Sequence, residues 1–198
     1  MNYERPRADF PLLLNEWGLL GEGVEVGVCQ GHHAKNILDY WPGHLHLVDP
    51  WAKTEGYEED YDHEKNYQET LTRLEELKGR YTIHRQTSLE ASGAFKDGTL
   101  DFVYLDANHS AQAVSEDLRA WWPKVKEGGM LAGDDYGIVE EQWVDMGHGR
   151  LRFGVKKAVD EWAYAHKRNI SLTLYADWKN SIPGQGELQA RGWWCLKP

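Results

Sequence analysis

The stretch from Leu100 to Tyr136 constrains this chain more than any other. Leu100, Phe102, Val103, Tyr104 and Leu105 form a near-continuous apolar run, the pattern of a strand buried on both faces. The run stops at Asp106, with His109 three residues on. Met130 to Ala132 forms a second short apolar run, and it ends in Gly133, Asp134 and Asp135. Between them Val114, Leu118, Trp121 and Trp122 recur at helical spacing, with Ser110 placed to cap the start and Pro123 to close the end. Strand, helix and strand joined by one crossover make a right-handed parallel unit. Both strands then end on the same edge of one sheet, and each delivers carboxylates there. Ligands bind at that edge in open α/β sheets, so it is the expected reaction centre.

The rest of the chain continues this alternation. Residues 1–20 carry an apolar pattern (Phe10, Leu12, Leu13, Leu14, Trp17, Leu19, Leu20) that predicts a helix laid against the core, broken by Gly21 and Gly23. Val24 to Val28 reads as a strand running into Cys29-Gln30-Gly31, followed by a helix with Ile37, Leu38 and Trp41. His44 to Val48 alternates as a second strand and ends at Asp49-Pro50. Residues 51–62 are acidic and read as a loop or cover, with Tyr57, Tyr61 and Tyr67 nearby. Tyr67, Leu71, Leu74 and Leu77 predict a helix stopped at Gly79. Tyr81 to Gln86 is a third strand and Ser88 to Ala94 a helical turn. Residues 137–152 are irregular and polar, the profile of a substrate loop. Val155 to Ala163 marks the last long helix, and 170–175 with 192–196 a closing strand pair. The fold class is therefore α/β: one domain over 1–198, a doubly wound, mostly parallel seven-stranded sheet of Rossmann-like type with a C-terminal antiparallel pair.

Composition narrows the partners. The chain of 198 residues has 32 acidic and 22 basic residues and a formal charge of −10, with no basic run long enough to track phosphates, which argues against nucleic acid. No stretch approaches the ~18 apolar residues of a membrane span. Met1 to Arg7 is not followed by the apolar region of a signal peptide. Cys29 and Cys195 are too few and too far apart for a disulfide framework, so a reducing cytoplasmic setting is expected. A homo-oligomer stays open, with the N-terminal apolar segment and surface tryptophans on offer as an interface.

Glu25-Val26-Gly27-Val28-Cys29-Gln30-Gly31 lies between a strand and a helix, where glycines permit a tight turn and close backbone approach to a ligand. No register satisfies G-x-G-x-x-G, which disfavours a pyrophosphate site and a nicotinamide oxidoreductase. Asp49, ending the next strand, is placed to accept hydrogen bonds from ribose hydroxyls. Together, Glu25-x-Gly27-x-x-x-Gly31 and Asp49 resemble the S-adenosylmethionine site of class I methyltransferases. The block Asp101-Phe-Val-Tyr-Leu-Asp106-Ala-Asn-His109, with Asp117-Leu, Trp122-Pro-Lys-Val-Lys, Gly128-Gly129 and Gly133-Asp134-Asp135-Tyr136, resembles their metal-dependent macrocin-type O-methyltransferases, over roughly residues 23–165. The resemblance implies that Gly27 and Gly31 line the methionine part of the cofactor, Glu25 steadies the loop, Asp49 holds the ribose and Ser88 sits near the adenine.

A sulfonium methyl is already activated, so the enzyme must align a nucleophile and relieve it of its proton. A divalent cation lowers the pKa of a hydroxyl, and carboxylates are suitable ligands for Mg²⁺ or Mn²⁺. Asp106, Asp134 and Asp135 are the expected metal ligands, Asp106 also bordering the cofactor, and His109 is the expected base, with His148 as second candidate. Adjacent residues on an extended strand face opposite ways, so Asp134 and Asp135 share an ion only if the chain bends at Gly133. Plainer readings stand beside these. Asp134-Asp135 also fits a solvated turn or a helix N-cap, although a site is favoured; His109 also fits a cap for the helix after it, and Trp51 packing or an adenosine flank. His32 and His33, at a helix start, read as neutral surface or pocket-wall residues rather than ligands. The acceptor is expected to be a small hydroxylated molecule: a sugar, polyketide or phenol. The rivals are a metal-independent methyltransferase and a non-catalytic adenosyl-ligand binding module.

Overall fold

The computed structural model describes residues 6–53, 58–59, 62–137, 141–145, 149–173 and 191–198. The chain opens with α1 (Phe10–Glu16), β1 (Glu22–Val26), α2 (His32–Tyr40) and β2 (His44–Val48), then a two-residue β3 (Glu58–Glu59). It continues through α3 (His63–Arg73), β4 (Tyr81–His84), α4 (Ser88–Ser92), β5 (Leu100–Leu105), α5 (Ala111–Trp121) and β6 (Val125–Gly133). The last elements are β7 (Gln142–Asp145), β8 (Gly149–Phe153), α6 (Val155–His166), β9 (Ser171–Leu172) and β10 (Trp193–Leu196).

Seven strands form one sheet in the order β4-β2-β1-β5-β6-β10-β9. The pairs from β4 to β6 are parallel, and β10 runs antiparallel to both β6 and β9. The doubly wound sheet with its terminal antiparallel pair is the expected fold. The chain moves outward one way through β2 and β4, then returns to build β5 and β6 on the other side of β1. The strand order therefore reverses between β1 and β5, and a crevice opens beyond their carboxyl ends.

Side-chain alternation assigns the two faces. Leu45, Leu47, Phe102, Tyr104, Met130 and Ala132 pack with Phe10, Leu13 and Leu14 of α1 and Ala34, Ile37 and Leu38 of α2. Val24, Val26, Val103, Leu105 and Leu131 point the other way, against Val114, Leu118 and Trp121 of α5 and Val159 and Trp162 of α6. All six residues of β5 are buried, five of them apolar and the sixth Asp101, whose carboxylate accepts from the Lys126 ammonium at 2.5 Å. The Ser110 side chain caps α5 by accepting from the Ala113 N–H, as the sequence predicts.

Three expectations change. β1 spans Glu22–Val26 rather than Val24–Val28: Glu22 and Gly23 already pair with His44 and Phe102 in the ladder, and the positive φ of Gly27 ends the strand. The polar stretch 137–152 is not wholly irregular: β7 and β8 pair antiparallel there, with β3 on the far side of β8. Cross-strand pairing supplied by the acidic segment near residue 58 gives that hairpin a partner which its own composition does not announce. The predicted stripe is met at Leu74, which is buried, and at Tyr67 and Leu77, which pack against the core, but within α3 the buried residues are Asn66 and Thr70, because that face covers the polar turn after β1. Tyr57, Tyr61, His148 and residues 174–190 lie outside the described residues.

Candidate active site

A cavity of about 900 Å³ occupies the crevice beyond β1 and β5. Its walls come from Glu25–Gln30, Val48–Ala52, Thr87–Leu89 and Asp106–His109, with Arg7, His33, Asn66, Asp117 and Leu151 closing the sides. It falls within the usual ~300–1,000 Å³ range of small-molecule sites.

The turn after β1 is shaped by backbone constraint. Gly27 has φ +90°, and a Cβ there would lie 2.1 Å from the Asp106 carbonyl oxygen, so any side chain would push β5 away. Gly31, at φ +74°, donates its N–H to the Val28 carbonyl at 2.8 Å and opens α2. Asp49 fastens this turn from below: its Oδ2 accepts from the N–H groups of Val28 and Cys29, each at 2.9 Å, and its Oδ1 from the Trp51 N–H at 2.7 Å. α3 fastens it from the side. The Thr70 hydroxyl donates to the Cys29 carbonyl at 2.9 Å, and Gln30 donates to Asn66 at 3.2 Å. Trp51 is buried, donates to the Cys29 carbonyl at 2.8 Å and meets the Tyr67 ring at 5.0 Å. Cys29 and Trp51 both have positive φ, a conformation that costs energy in non-glycine residues and concentrates at functional sites.

Ser88 lies at the start of α4, whose Thr87 and Glu90 form a capping box. The Ser88 hydroxyl donates to Asp117 Oδ1 and accepts from Trp121 Nε1 at 2.9 Å. Asp117 is 6% exposed, and burial pushes its carboxyl up to about 7.

The acids at the ends of β5 and β6 converge beside the turn, and they do so around a residue that the sequence reading passed over. The Arg7 guanidinium, from the segment before α1, reaches Asp106 Oδ2 at 2.6 Å and forms a second ion pair with Asp134. It also lies over the Tyr104 ring at 5.6 Å. Asp135 turns away from Asp134 because its φ is +59°, and its Oδ2 lies 3.3 Å from His109 Nδ1. The His109 ring stacks on Phe153 of β8 at 4.9 Å and 14°, and the His109 carbonyl accepts the Gly154 N–H at 2.7 Å. Asp106, His109 and Asp135 each bring a donor atom within 4.8 Å of the others.

Burial dominates the electrostatics. It pushes Glu25 well up, and Asp106 adds to that effect; it pushes His33 well down, helped by Arg7. Glu25 and His33, 3.3 Å apart, are therefore favoured as a neutral pair in the pocket wall. Burial also raises Asp106, with Arg7 opposing and Asp134 and Asp135 reinforcing the rise. Asp135 is raised by burial as well, with His109 opposing. The negative charge gathered at Asp106, Asp134 and Asp135 favours a cation, and Arg7 supplies one charge.

Of the site residues expected from the sequence, Glu25, Gly27, Asp49, Ser88, Asp106 and His109 line this crevice and Asp134 and Asp135 lie beside it, whereas Gly31 sits in the turn behind it and His148 lies outside the described residues. Sequence reading missed Arg7, Asn66, Thr70 and Phe153. Asp117 carried a readable signal: an acid inside the apolar stripe Val114–Leu118–Trp121.

A reversing parallel sheet, a glycine turn fastened by the acid of the next strand, and a cavity beyond them define a Rossmann-like α/β protein of the methyltransferase type. Residues 24–136 match the family model described as a methyltransferase domain, and the chain belongs to that family of transferases. No curated protein is similar enough in sequence to match. Solved structures agree in fold. The O-methyltransferase TomG from Streptomyces achromogenes, involved in tomaymycin synthesis and solved with S-adenosylmethionine, has a TM-score of 0.67 and 13% identity over 97% of this chain and 79% of its own. An O-methyltransferase from Bacillus cereus, in complex with S-adenosylhomocysteine, has a TM-score of 0.65 and 14% identity over 96% and 80%. A precorrin-6y C5,15-methyltransferase from Geobacter metallireducens has a TM-score of 0.61 and 12% identity over 97% and 87%. The fold is thus shared by transferases with different acceptors. Among the described residues, no helix is long and apolar enough to cross a membrane.

Proposed function

We propose that this methyltransferase uses S-adenosylmethionine to methylate a hydroxyl of a small acceptor. The observation that carries the reading is the convergence of Asp106, His109 and Asp135 beside the glycine-turn cavity. When bound, S-adenosylmethionine supplies a sulfonium methyl already activated for transfer. In this reading Gly27 and Gly31 shape the turn that receives its amino-acid part, Asp49 would hold its ribose, Ser88 would border its adenine, and Glu25 would steady the turn.

His109 accepts the acceptor's hydroxyl proton at Nε2, while Asp135 at Nδ1 and the Phe153 ring hold the imidazole in place. Two carboxylates next to an imidazole also suit a divalent cation such as Mg²⁺ or Mn²⁺. Asp106 and Asp135 would hold it, and Asp134 would join once Arg7 withdraws. There the ion would lower the pKa of the acceptor hydroxyl.

The experiment is transfer of labelled methyl from S-adenosylmethionine to a panel of sugars, polyketides and phenols, with Mg²⁺ and then with EDTA. Turnover that EDTA abolishes and Mg²⁺ restores supports the full reading. No turnover with any acceptor, together with intact cofactor binding by His109→Ala, would favour a non-catalytic binding module. One observation supports metal-independent transfer instead: the Arg7 guanidinium already pairs with both Asp106 and Asp134 and supplies one positive charge to them. EDTA-resistant turnover would select that reading.

A further inference from the structure

The opposite end of the same strands carries a second cluster of ligating side chains. On the sheet face that holds Val24 and Val26, β2 and β4 present imidazoles in place of aliphatic residues: His44 and His46 on β2, His84 on β4. His44 and His46 share a face because they are two residues apart on a strand. Glu22, the first residue of β1, pairs directly with His44 in the parallel ladder. Its Oε2 lies 2.8 Å from His46 Nε2, and the other nitrogen of that ring lies 3.0 Å from His84 Nε2. His44 Nε2 lies 2.8 Å from the Thr82 hydroxyl, and the His44 and His46 rings are 5.2 Å apart. One donor atom each from Glu22, His44 and His46 falls within 4.8 Å of the others.

We propose that Glu22, His44 and His46 form a site for a borderline divalent transition-metal ion, with Zn²⁺ as its type, separate from the acid cluster at the carboxyl edge. Metal–nitrogen and metal–oxygen bonds of ~2.0–2.2 Å put tetrahedral donors ~3.4 Å apart. The Glu22–His46 pair, at 2.8 Å, would open by ~0.6 Å and the wider pairs, within 4.8 Å, would close by at most ~1.4 Å, movements that side-chain rotation supplies. Glu22 is 52% exposed on its side chain and free to swing, while two hydrogen-bonded strands fix the Cα positions of all three residues. His84 contacts the far nitrogen of His46 and orients that ring, the role of an outer partner at a metal-binding histidine. Two imidazoles and one carboxylate select Zn²⁺, Ni²⁺ or Cu²⁺ over Mg²⁺, the reverse of the preference expected at Asp106 and Asp135. An ion here would clamp the leading ends of β1 and β2.

The test is competition between untagged full-length protein and a chromophoric chelator for Zn²⁺, with Co²⁺ bound separately and followed by its visible absorption. One equivalent of Zn²⁺ with micromolar Kd is expected, unaffected by millimolar Mg²⁺. His44→Gln and Glu22→Gln should each weaken it at least tenfold, while Asp135→Asn leaves it unchanged. Both substitutions sit away from the cavity, so S-adenosylhomocysteine binding and a cooperative thermal transition should persist in them and report intact folding. Binding no tighter than millimolar in the natural protein overturns the proposal. So does tight binding that survives both substitutions, or that only Asp135→Asn removes.

Discussion

Replacing Asp117 with asparagine should abolish a pH dependence of stability that the buried carboxyl imposes. Asp117 sits on the inner face of α5, 6% exposed, with the Ser88 hydroxyl donating to it. Burial raises its pKa from 3.8 to about 7, against the opposing pull of Ser88. The unfolded chain ionises near the ordinary value, whereas the native state keeps the proton until about pH 7. Between those values the native protein binds more protons than the unfolded chain, so this group's contribution to stability falls as pH rises and then levels off. A rise from 3.8 to about 7 corresponds to roughly 4 kcal/mol. Asp117→Asn keeps the shape and the oxygen that accepts from Ser88 but cannot ionise. Urea unfolding of both proteins from about pH 4 to pH 8 should give a small difference at the acid end, growing to roughly 2–4 kcal/mol in the variant's favour at the alkaline end. Parallel profiles, or a variant less stable at pH 8, would mean that Asp117 is a charge-paired carboxylate in the native state, and the reasoning would fail.

Arg7→Ala leaves Asp106 and Asp134, 19% and 13% exposed, without their cation. A loss of about 1–3 kcal/mol is expected, less than for a fully buried pair, and Mg²⁺ should recover part of it in a thermal melt. A variant that melts like the natural protein would remove the ion pair from the account, and one that ignores Mg²⁺ would count against a cation site. Gly27→Ala meets the Asp106 carbonyl at a positive φ, so a loss of ~3 kcal/mol or more and no calorimetric binding of S-adenosylhomocysteine are expected; unchanged binding would show that the turn is not under that constraint. Asp49→Ala strips three backbone N–H groups of their acceptor and should weaken S-adenosylhomocysteine at least ~10-fold, with Asp49→Asn intermediate; equal affinities would dissociate Asp49 from the cofactor site.

The layered sheet was legible in the sequence because burial writes a local period. Six consecutive buried residues at Leu100–Leu105, the Leu45/Leu47 alternation and the cap at Ser110 each encode their own structure within a few positions. Local pattern also ended β5 and β6 in acids on one edge, and so located the crevice. Tertiary structure alone decided how those acids are used. Arg7 meets Asp106 across 99 positions of chain, and an ion pair between distant segments leaves no period to read. The divergence of Asp134 and Asp135 rests on one left-handed residue at the strand's end. The β7–β8 hairpin and the polar inner face of α3 exist because of what lies opposite them: a short strand near residue 58 in one case, the turn beneath Asn66 and Thr70 in the other. Apolar burial is a property of a segment, whereas polar pairing is a property of two surfaces brought together, and only the folded chain brings them together.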